Sequence, residues 1–88
     1  MEIELDPVNA RANLAKRRVD FAHAEQALHD PFSVTIEDPD SEGEARYVTL
    51  GMDALGRILV IVRTTRGNRI RLISARKCSR SEAEQYHA

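Results

Sequence analysis

The sequence has few of the residues that mark secreted, membrane-spanning or zinc-binding small proteins. Cys78 is the single cysteine among 88 residues, which excludes an internal disulfide and a cysteine-based zinc site. No apolar run approaches the about 20 residues that a membrane helix needs. The N-terminus is acidic and has no apolar core segment of the kind that signal peptides carry. We therefore expect a cytoplasmic protein that does not associate with membranes.

The signatures of the common enzyme classes are also missing. The chain has no Walker loop, no dinucleotide-binding fingerprint and no nucleophile elbow. His23, His29 and His87 are scattered without metal-ligand spacing, and Ser74 has no evident histidine or aspartate partners. We expect no metal and no cofactor. With 42 % hydrophobic residues and no tryptophan, residues 1–88 are predicted to form a single domain with a modest core.

The charges are distributed very unevenly along the chain. The formal net charge is −1, but residues 1–44 hold 4 basic and 11 acidic residues, whereas residues 45–88 hold 9 basic and 3 acidic ones. Between Arg57 and Arg80 there are eight basic residues, seven of them arginine, and no acidic residue that could pair with them. The guanidinium group matches a phosphate with two parallel hydrogen bonds. This segment therefore favours a nucleic-acid partner; the competing interpretation is a solvated sheet edge that its charges protect from aggregation.

The order of apolar and turn-forming residues predicts an α+β fold. Asp6-Pro7 and Asp20 are typical starts of two helices, and Ser79 with Glu82 forms the capping box of a short C-terminal helix. Four predicted strands lie between them: Phe32–Ile36, Arg46–Gly51, Arg57–Thr65 and Arg69–Ala75, with an acidic loop over 37–44. Short connections favour a four-stranded antiparallel sheet in the order ααββββα.

The last hairpin can be closed in two registers. A turn of two residues, Gly67-Asn68, would place Arg66 opposite Arg69 and would mix apolar and basic residues on both faces. A loop of three residues, 66–68, instead pairs Arg63 with Arg71 and separates the two classes of side chain. The predicted apolar face consists of Ile58, Val60, Val62, Ile70 and Leu72, and the predicted basic face of Arg63, Arg69 and Arg71. We expect an RNA phosphate to relieve the repulsion between the opposed Arg63 and Arg71.

Taken in order, the motifs carry a resemblance to a known family. They are Asp6-Pro7, Asn13, Lys16, Val19-Asp20-Phe21, Asp30-Pro31, Glu44-Ala45-Arg46-Tyr47-Val48, Gly51, Gly56-Arg57-Ile58-Leu59-Val60, the segment 69–77 that begins Arg69-Ile70-Arg71, Glu82 and Tyr86. This ordered set resembles the BrnT toxins of type II toxin–antitoxin systems, which are ribonucleases with a RelE-like fold. The chain differs from the family at Lys16-Arg17-Arg18-Val19, where the family usually has Lys-His-Gly-Val.

The resemblance implies a metal-independent endoribonuclease that cleaves mRNA and inhibits translation. It also implies a partner that resembles BrnA, a ribbon-helix-helix antitoxin through which the complex would bind operator DNA. In such chemistry the RNA 2′-hydroxyl attacks the adjacent phosphate, and arginines stabilise the charge that develops. The catalytic candidates are Arg71, Arg76, Arg63, Lys77 and Tyr86; the RNA-binding candidates are Arg46, Arg57, Arg66, Arg69 and Arg80.

Two alternatives to an enzyme stay open at this point. One is a non-catalytic RNA- or ribosome-binding module related to such toxins, which the missing histidine in the segment 16–19 favours. The other is a structural subunit whose basic face docks an acidic partner. Tyr86 likewise has two interpretations, since it can contact RNA or anchor the C-terminal helix on the sheet.

Overall fold

The computed structural model describes residues 2–39, 43 and 45–88. Over these residues the chain forms one sheet of five strands, in the order β1-β5-β4-β3-β2, and three helices. The elements are β1 (Glu2–Glu4), α1 (Pro7–Arg17), α2 (Phe21–Leu28), β2 (Val34–Glu37), β3 (Arg46–Met52), β4 (Ile58–Arg66), β5 (Arg69–Lys77) and α3 (Arg80–Tyr86). Residues 40–42 and 44 of the predicted acidic loop lie outside the described part of the chain, and so does the Glu44 of the strand motif. No helix in the described part is long and apolar enough to cross a membrane.

The predicted four-stranded antiparallel sheet is wrong because the sheet is mixed and has a fifth strand. Strand β1 precedes the first helix and pairs in parallel with β5, with Ile3 opposite Ile70. The predicted order ααββββα is therefore wrong as well. Strand β1 has only three residues, and alternation of polar and apolar residues over so short a segment does not predict a strand. Its pairing partner β5 lies at the other end of the chain. The pairings among β2, β3, β4 and β5 are antiparallel.

The helices begin where the capping residues indicate. The Asp6 carboxylate accepts hydrogen bonds from the backbone N–H groups of Val8 (2.8 Å) and Asn9 (3.4 Å). The Asp20 carboxylate accepts one from the N–H of Ala22 (2.9 Å), and α3 starts with the predicted capping box of Ser79 and Glu82. These contacts lie within a few residues of each other and satisfy N–H groups that the helix itself leaves without partners.

The core lies between the sheet and the helices α1 and α2, on what we call the helix face. Its buried members are Val19, Phe21, Ala24, Ala27, Leu59, Ile61, Ile70, Leu72 and Ala75. The backbone of α2 lies directly against β3 at Gly51, where an added Cβ atom would stand 2.2 Å from the carbonyl oxygen of Ala27. Glycine at this position therefore permits the close approach of helix and sheet.

A β-bulge in β5 determines which side chains of that strand share a face. Val62 pairs with Ser74 and Arg63 pairs with Leu72, so that Ile73 is the extra residue of β5. Residues separated by an odd number normally point to opposite sides of a strand. The extra residue inverts this rule across the bulge. As a result, Leu72 and Ala75 both lie on the helix face.

The predicted register of the last hairpin is wrong. The turn is Gly67-Asn68, with Gly67 at φ 57° and Arg66 opposite Arg69. Arg63 is opposite Leu72 rather than Arg71, so the expected repulsion between Arg63 and Arg71 is absent. The predicted apolar face is divided too: Ile70 and Leu72 lie on the helix face, while Ile58, Val60 and Val62 point to the other side. The apolar and basic side chains of β5 are separated by the bulge and not by the predicted loop of three residues.

A buried asparagine joins α1 to the free edge of β5. The Asn13 amide nitrogen donates to the carbonyl oxygens of Val19 (2.8 Å) and Ala75 (2.9 Å). Its amide oxygen accepts from the backbone N–H of Ala75 at 2.9 Å. Strand β1 covers the edge of β5 only over residues 69–71, and the Asn13 amide takes the place of a neighbouring strand at residue 75.

Replacing Asn13 tests how much this contact stabilises the fold. The change Asn13→Ala leaves buried backbone groups of Ala75 and Val19 without partners, and we expect it to lower the free energy of unfolding by about 3 kcal/mol. The measurement is urea denaturation followed by circular dichroism. Asn9→Ala is the matched control on the same helix, where we expect a change below about 0.5 kcal/mol. Equal effects of the two changes would contradict a special role for Asn13.

Candidate functional site

The face of the sheet opposite the helix face carries five arginines, and we call it the arginine face. Across β3, β4, β5 and β1, one row of neighbouring residues is Arg46, Thr64, Arg71 and Glu4, and the next row is Arg66, Arg69 and Glu2. Arg76 lies further along β5, opposite Val60. The arginines of this face are Arg46, Arg66, Arg69, Arg71 and Arg76. The bulge at Ile73 places Arg71 and Arg76 on the same face, although an unbroken strand would separate them.

Helix α3 is tied to the arginine face through Arg76. The two terminal nitrogens of Arg76 donate to the two carboxylate oxygens of Glu82, each at 2.8 Å. Glu82 also accepts from the backbone N–H of Ser79 at 2.7 Å. The hydrogen bonds from Arg76 lower the pKa of Glu82 to about 2. This bidentate pair holds the Arg76 guanidinium in one orientation on the sheet.

Carboxylates from outside β4 and β5 contact Arg69, Arg71 and Arg46. Arg69 contacts Glu2 at 3.2 Å and Glu4 at 3.0 Å, and Arg71 contacts Glu4 at 3.4 Å. Arg46 contacts Asp38 at 3.4 Å. The hydrogen bond from Arg69 holds the pKa of Glu4 below its usual value, although partial burial opposes the shift. The expectation that these arginines have no acidic partners is therefore wrong, because the sheet brings the acidic N-terminal strand to β5.

Arg63 and Lys77 lie on the opposite face of the sheet. Arg63 donates to the hydroxyl oxygens of Thr49 (3.3 Å) and Thr65 (3.4 Å), and its guanidinium carbon stands 5.2 Å from the centre of the Tyr47 ring. Lys77 pairs with Leu59, a member of the core. The structure therefore does not bring these two catalytic candidates together with Arg71 and Arg76.

Arg57, an RNA-binding candidate, is engaged in the turn between β3 and β4. Its guanidinium contacts the buried Asp53 carboxylate at 2.8 Å and the His23 ring nitrogen Nδ1 at 2.9 Å. Burial raises the pKa of the Asp53 carboxyl, but hydrogen bonds from Arg57 and Leu55 hold it below its ordinary value overall. Because guanidinium only donates, His23 accepts through Nδ1 and carries its proton on Nε2. Arg80 is by contrast almost fully exposed on α3, at 4.0 Å from Glu84.

Tyr86 fastens the end of α3 to the connection between α2 and β2. Its hydroxyl donates to Oδ2 of Asp30, which also accepts from the backbone N–H of Met52 at 2.8 Å. The hydrogen bond to Asp30 raises the pKa of Tyr86 above its ordinary value. This contact agrees with the anchoring interpretation of Tyr86, and a phenol with a raised pKa keeps its proton more firmly.

Several residues of this face were absent from the predicted site. Glu4 was missed because β1 was missed, and Thr64 carries no signal beyond its place in a β-branched run. Glu82 was recognised as part of a capping box, but its second contact, to Arg76, depends on where α3 lies against β5. Glu4 and Thr64 join the site through strand pairing, and Glu82 joins it through the position of α3.

Comparisons with known proteins identify relatives of this chain. The family described as the ribonuclease toxin BrnT of type II toxin–antitoxin systems matches residues 5–82. The crystal structure of the Brucella abortus ribonuclease toxin BrnT is similar, with a TM-score of 0.66 and 25 % sequence identity. The similarity covers 91 % of this chain and 99 % of the Brucella chain. No curated protein matches this sequence.

The pair of Arg76 and Glu82 predicts how stability depends on pH. The pKa of Glu82 is about 2 in the folded protein, against an ordinary value of 4.5, so the stabilisation is complete above pH 4.5 and is lost as pH falls towards 2. After allowing for the exposure of Arg76, we expect this loss to be about 1–2 kcal/mol.

Urea denaturation between pH 7 and pH 2 measures this dependence. The variant Glu82→Gln should be less stable at pH 7 and should lose less stability on acidification, because glutamine keeps the capping hydrogen bond without the charge. Glu84→Gln on the same helix is the control and should behave like the unmodified protein. A pH profile of Glu82→Gln identical to that of the unmodified protein would rule out this contribution.

Proposed function

Because the chain belongs to the family of BrnT ribonuclease toxins of type II toxin–antitoxin systems, we propose that it is a metal-independent endoribonuclease that cleaves mRNA and inhibits translation. The observation that carries this proposal is the position of Arg71 and Arg76. The bulge in β5 brings both onto the arginine face, where Arg46, Arg66 and Arg69 extend the positive surface along the sheet. A strand of RNA has the regular phosphate spacing that such a surface can follow.

The proposed chemistry is cleavage by the RNA's own 2′-hydroxyl. Its oxygen forms a bond to the adjacent phosphorus and loses its proton to solvent water, while the bond from phosphorus to the 5′-oxygen of the next nucleotide breaks and that oxygen takes a proton from water. The products are a 2′,3′-cyclic phosphate and a free 5′-hydroxyl. Negative charge builds up on the phosphate oxygens in the transition state, and Arg71 and Arg76 stabilise it. Glu82 keeps Arg76 oriented before RNA arrives, which reduces the reorganisation that the reaction requires. Arg66 and Arg69 hold the neighbouring phosphates, and Arg46 supports Arg71.

Positioning and charge stabilisation supply most of the catalysis in this proposal. Glu4 and Glu82 are weak proton acceptors, since contacts with arginines lower the pKa of each. Tyr86 acts as a hydrogen-bonded anchor of α3. Arg63 and Lys77 take no part at the reacting phosphate because their side chains lie across the sheet from Arg71. Arg57 serves the turn that contains Asp53, and the exposed Arg80 contributes to long-range attraction of RNA.

The family implies an antitoxin partner. We infer that this partner is a BrnA-like ribbon-helix-helix protein that covers the arginine face, and that the complex binds operator DNA through the antitoxin. A cytoplasmic location follows from this role, since mRNA and operator DNA are both there.

A non-catalytic RNA- or ribosome-binding module is the second candidate function. It is favoured by Arg17-Arg18, which stand where the family usually has His-Gly, and by the weak proton acceptors on the arginine face. Such a module would use the same arginines to hold phosphates and would leave the RNA intact.

Incubation of the purified protein with end-labelled RNA in the presence of EDTA separates the two functions. We expect cleavage, and we expect Arg71→Ala to slow it by roughly 100-fold or more, as removal of one charge-stabilising donor does in other enzymes. Arg11→Ala, which removes an exposed arginine of α1 away from the arginine face, is the control and should cleave at nearly the unmodified rate. Circular dichroism confirms that each variant is folded. Cleavage that stops on addition of EDTA would contradict a metal-independent mechanism, and binding without cleavage would support the module.

The acidic strand β1 predicts a variant with stronger RNA binding. Glu4 competes with RNA phosphates for Arg69 and Arg71, so Glu4→Gln should increase the affinity for RNA by about threefold at low salt, with a smaller effect at high salt. Glu25→Gln on α2 changes the net charge equally and serves as the control. Fluorescence anisotropy with a labelled RNA containing 2′-deoxy residues measures binding without cleavage. Equal affinities of the two variants would mean that only net charge matters.

A further inference from the structure

The hydroxyl group of Thr64 lies at the centre of the arginine face without a hydrogen-bond partner. Thr64 is 4 % exposed, and its Oγ1 is the one buried side-chain nitrogen or oxygen of the described residues for which no partner is found. A buried hydroxyl that lacks a partner destabilises the folded protein. Valine has the same shape and fits a buried strand position at least as well. The hydroxyl therefore calls for an explanation other than stability of the fold.

The residues opposite Thr64 on the two neighbouring strands are both arginines. Arg46 on β3 and Arg71 on β5 are its direct neighbours across the sheet, and side chains in such pairs start about 5 Å apart. Arg46 turns towards Asp38 and Arg71 towards Glu4, each at 3.4 Å. Their side chains are 39 % and 37 % exposed, and partly exposed single ion pairs of this kind are weak. Both guanidinium groups can therefore exchange a carboxylate for another anion.

From this arrangement we infer that Thr64, Arg46 and Arg71 form a subsite for one phosphate group of the RNA. The two guanidinium groups leave Asp38 and Glu4, move over Thr64 and bind the phosphate oxygens, and this movement uncovers the hydroxyl. Thr64 then donates its hydrogen bond to a phosphate oxygen. Its buried position on the central strand β4 fixes where that phosphate sits, while the long arginine side chains adapt to it. The identity of the anion as RNA rests on the proposed function.

In this subsite the Thr64 hydroxyl contributes to binding of the phosphate and not to stability of the fold. The hydroxyl is without a partner in the free protein and gains one only when phosphate binds, so all of its hydrogen-bond energy favours the complex. Loss of the hydroxyl should weaken binding without weakening the fold. A residue needed only for the fold would show the reverse.

Two variants of Thr64 test this inference with a non-cleavable RNA that contains 2′-deoxy residues. We expect Thr64→Val to weaken binding by about tenfold, equivalent to about 1.4 kcal/mol, with a melting temperature equal to or above that of the unmodified protein. Thr64→Ser keeps the hydroxyl and should bind within about twofold of the unmodified protein. Thr65→Val, the next residue on the opposite face, is the control and should bind normally. Unchanged RNA affinity of Thr64→Val, or a clear fall in its melting temperature, would overturn the inference.

Inorganic phosphate as a second probe separates failure of the subsite from failure of the proposed function. Titration followed by NMR should shift the backbone amide signals around Thr64, Arg46 and Arg71, and Thr64→Val should weaken this response. If the protein neither binds nor cleaves RNA but phosphate binds in this way, the proposed function fails and the subsite stands as an anion site. If RNA is cleaved while phosphate leaves these signals unchanged, the proposed function stands and the subsite is overturned.

Discussion

The extra residue in β5 is the constraint on which the rest of this structure depends. Strands alternate their side chains strictly, and β5 has core residues and arginines that regular alternation would distribute incorrectly. Leu72 and Ser74 pair with consecutive residues of β4, and Ile73 between them is the extra residue. It places Leu72 and Ala75 in the core. It places Arg71 and Arg76 on the opposite face. One unpaired residue thus serves packing and the candidate site at the same time. Bulges are common near functional sites for this reason.

The arginine face is closer to electrical balance than the sequence of β4 and β5 indicates. Glu2, Glu4, Asp38 and Glu82 contact arginines of this face, namely Arg46, Arg69, Arg71 and Arg76, and most of these contacts are long or partly exposed. Such weak ion pairs orient the guanidinium groups, and little free energy is needed to break them. The bidentate contact of Arg76 with Glu82 is the tightest of them. The face therefore combines one firmly oriented arginine with several that can exchange partners, which suits a surface that must bind phosphates and also remain stable without them.

The local elements were predictable because their signals lie within a few residues. The caps at Asp6, Asp20 and Ser79 identify all three helices, since each satisfies N–H groups in its own first turn. Four of the strands follow from β-branched runs and turn residues. Strand β1 was missed, and the hairpin register was wrong, because both depend on contacts between residues far apart in the sequence. The same two contacts also set the surroundings of the candidate site: β1 places Glu4 beside Arg71, and the register places Arg63 on the other face from Arg71.

By itself, the sequence determined that the charges are segregated, that arginines dominate the basic segment and that the chain resembles a family of ribonuclease toxins. Composition and motif order are properties of the chain, so no contact is needed to see them. Only the tertiary structure decided which arginines share a face, which carboxylates contact them and that the Thr64 hydroxyl lies between Arg46 and Arg71 without a partner. The physical reason is that a single-residue change in strand pairing moves every later side chain to the other face, and no local pattern records such a change.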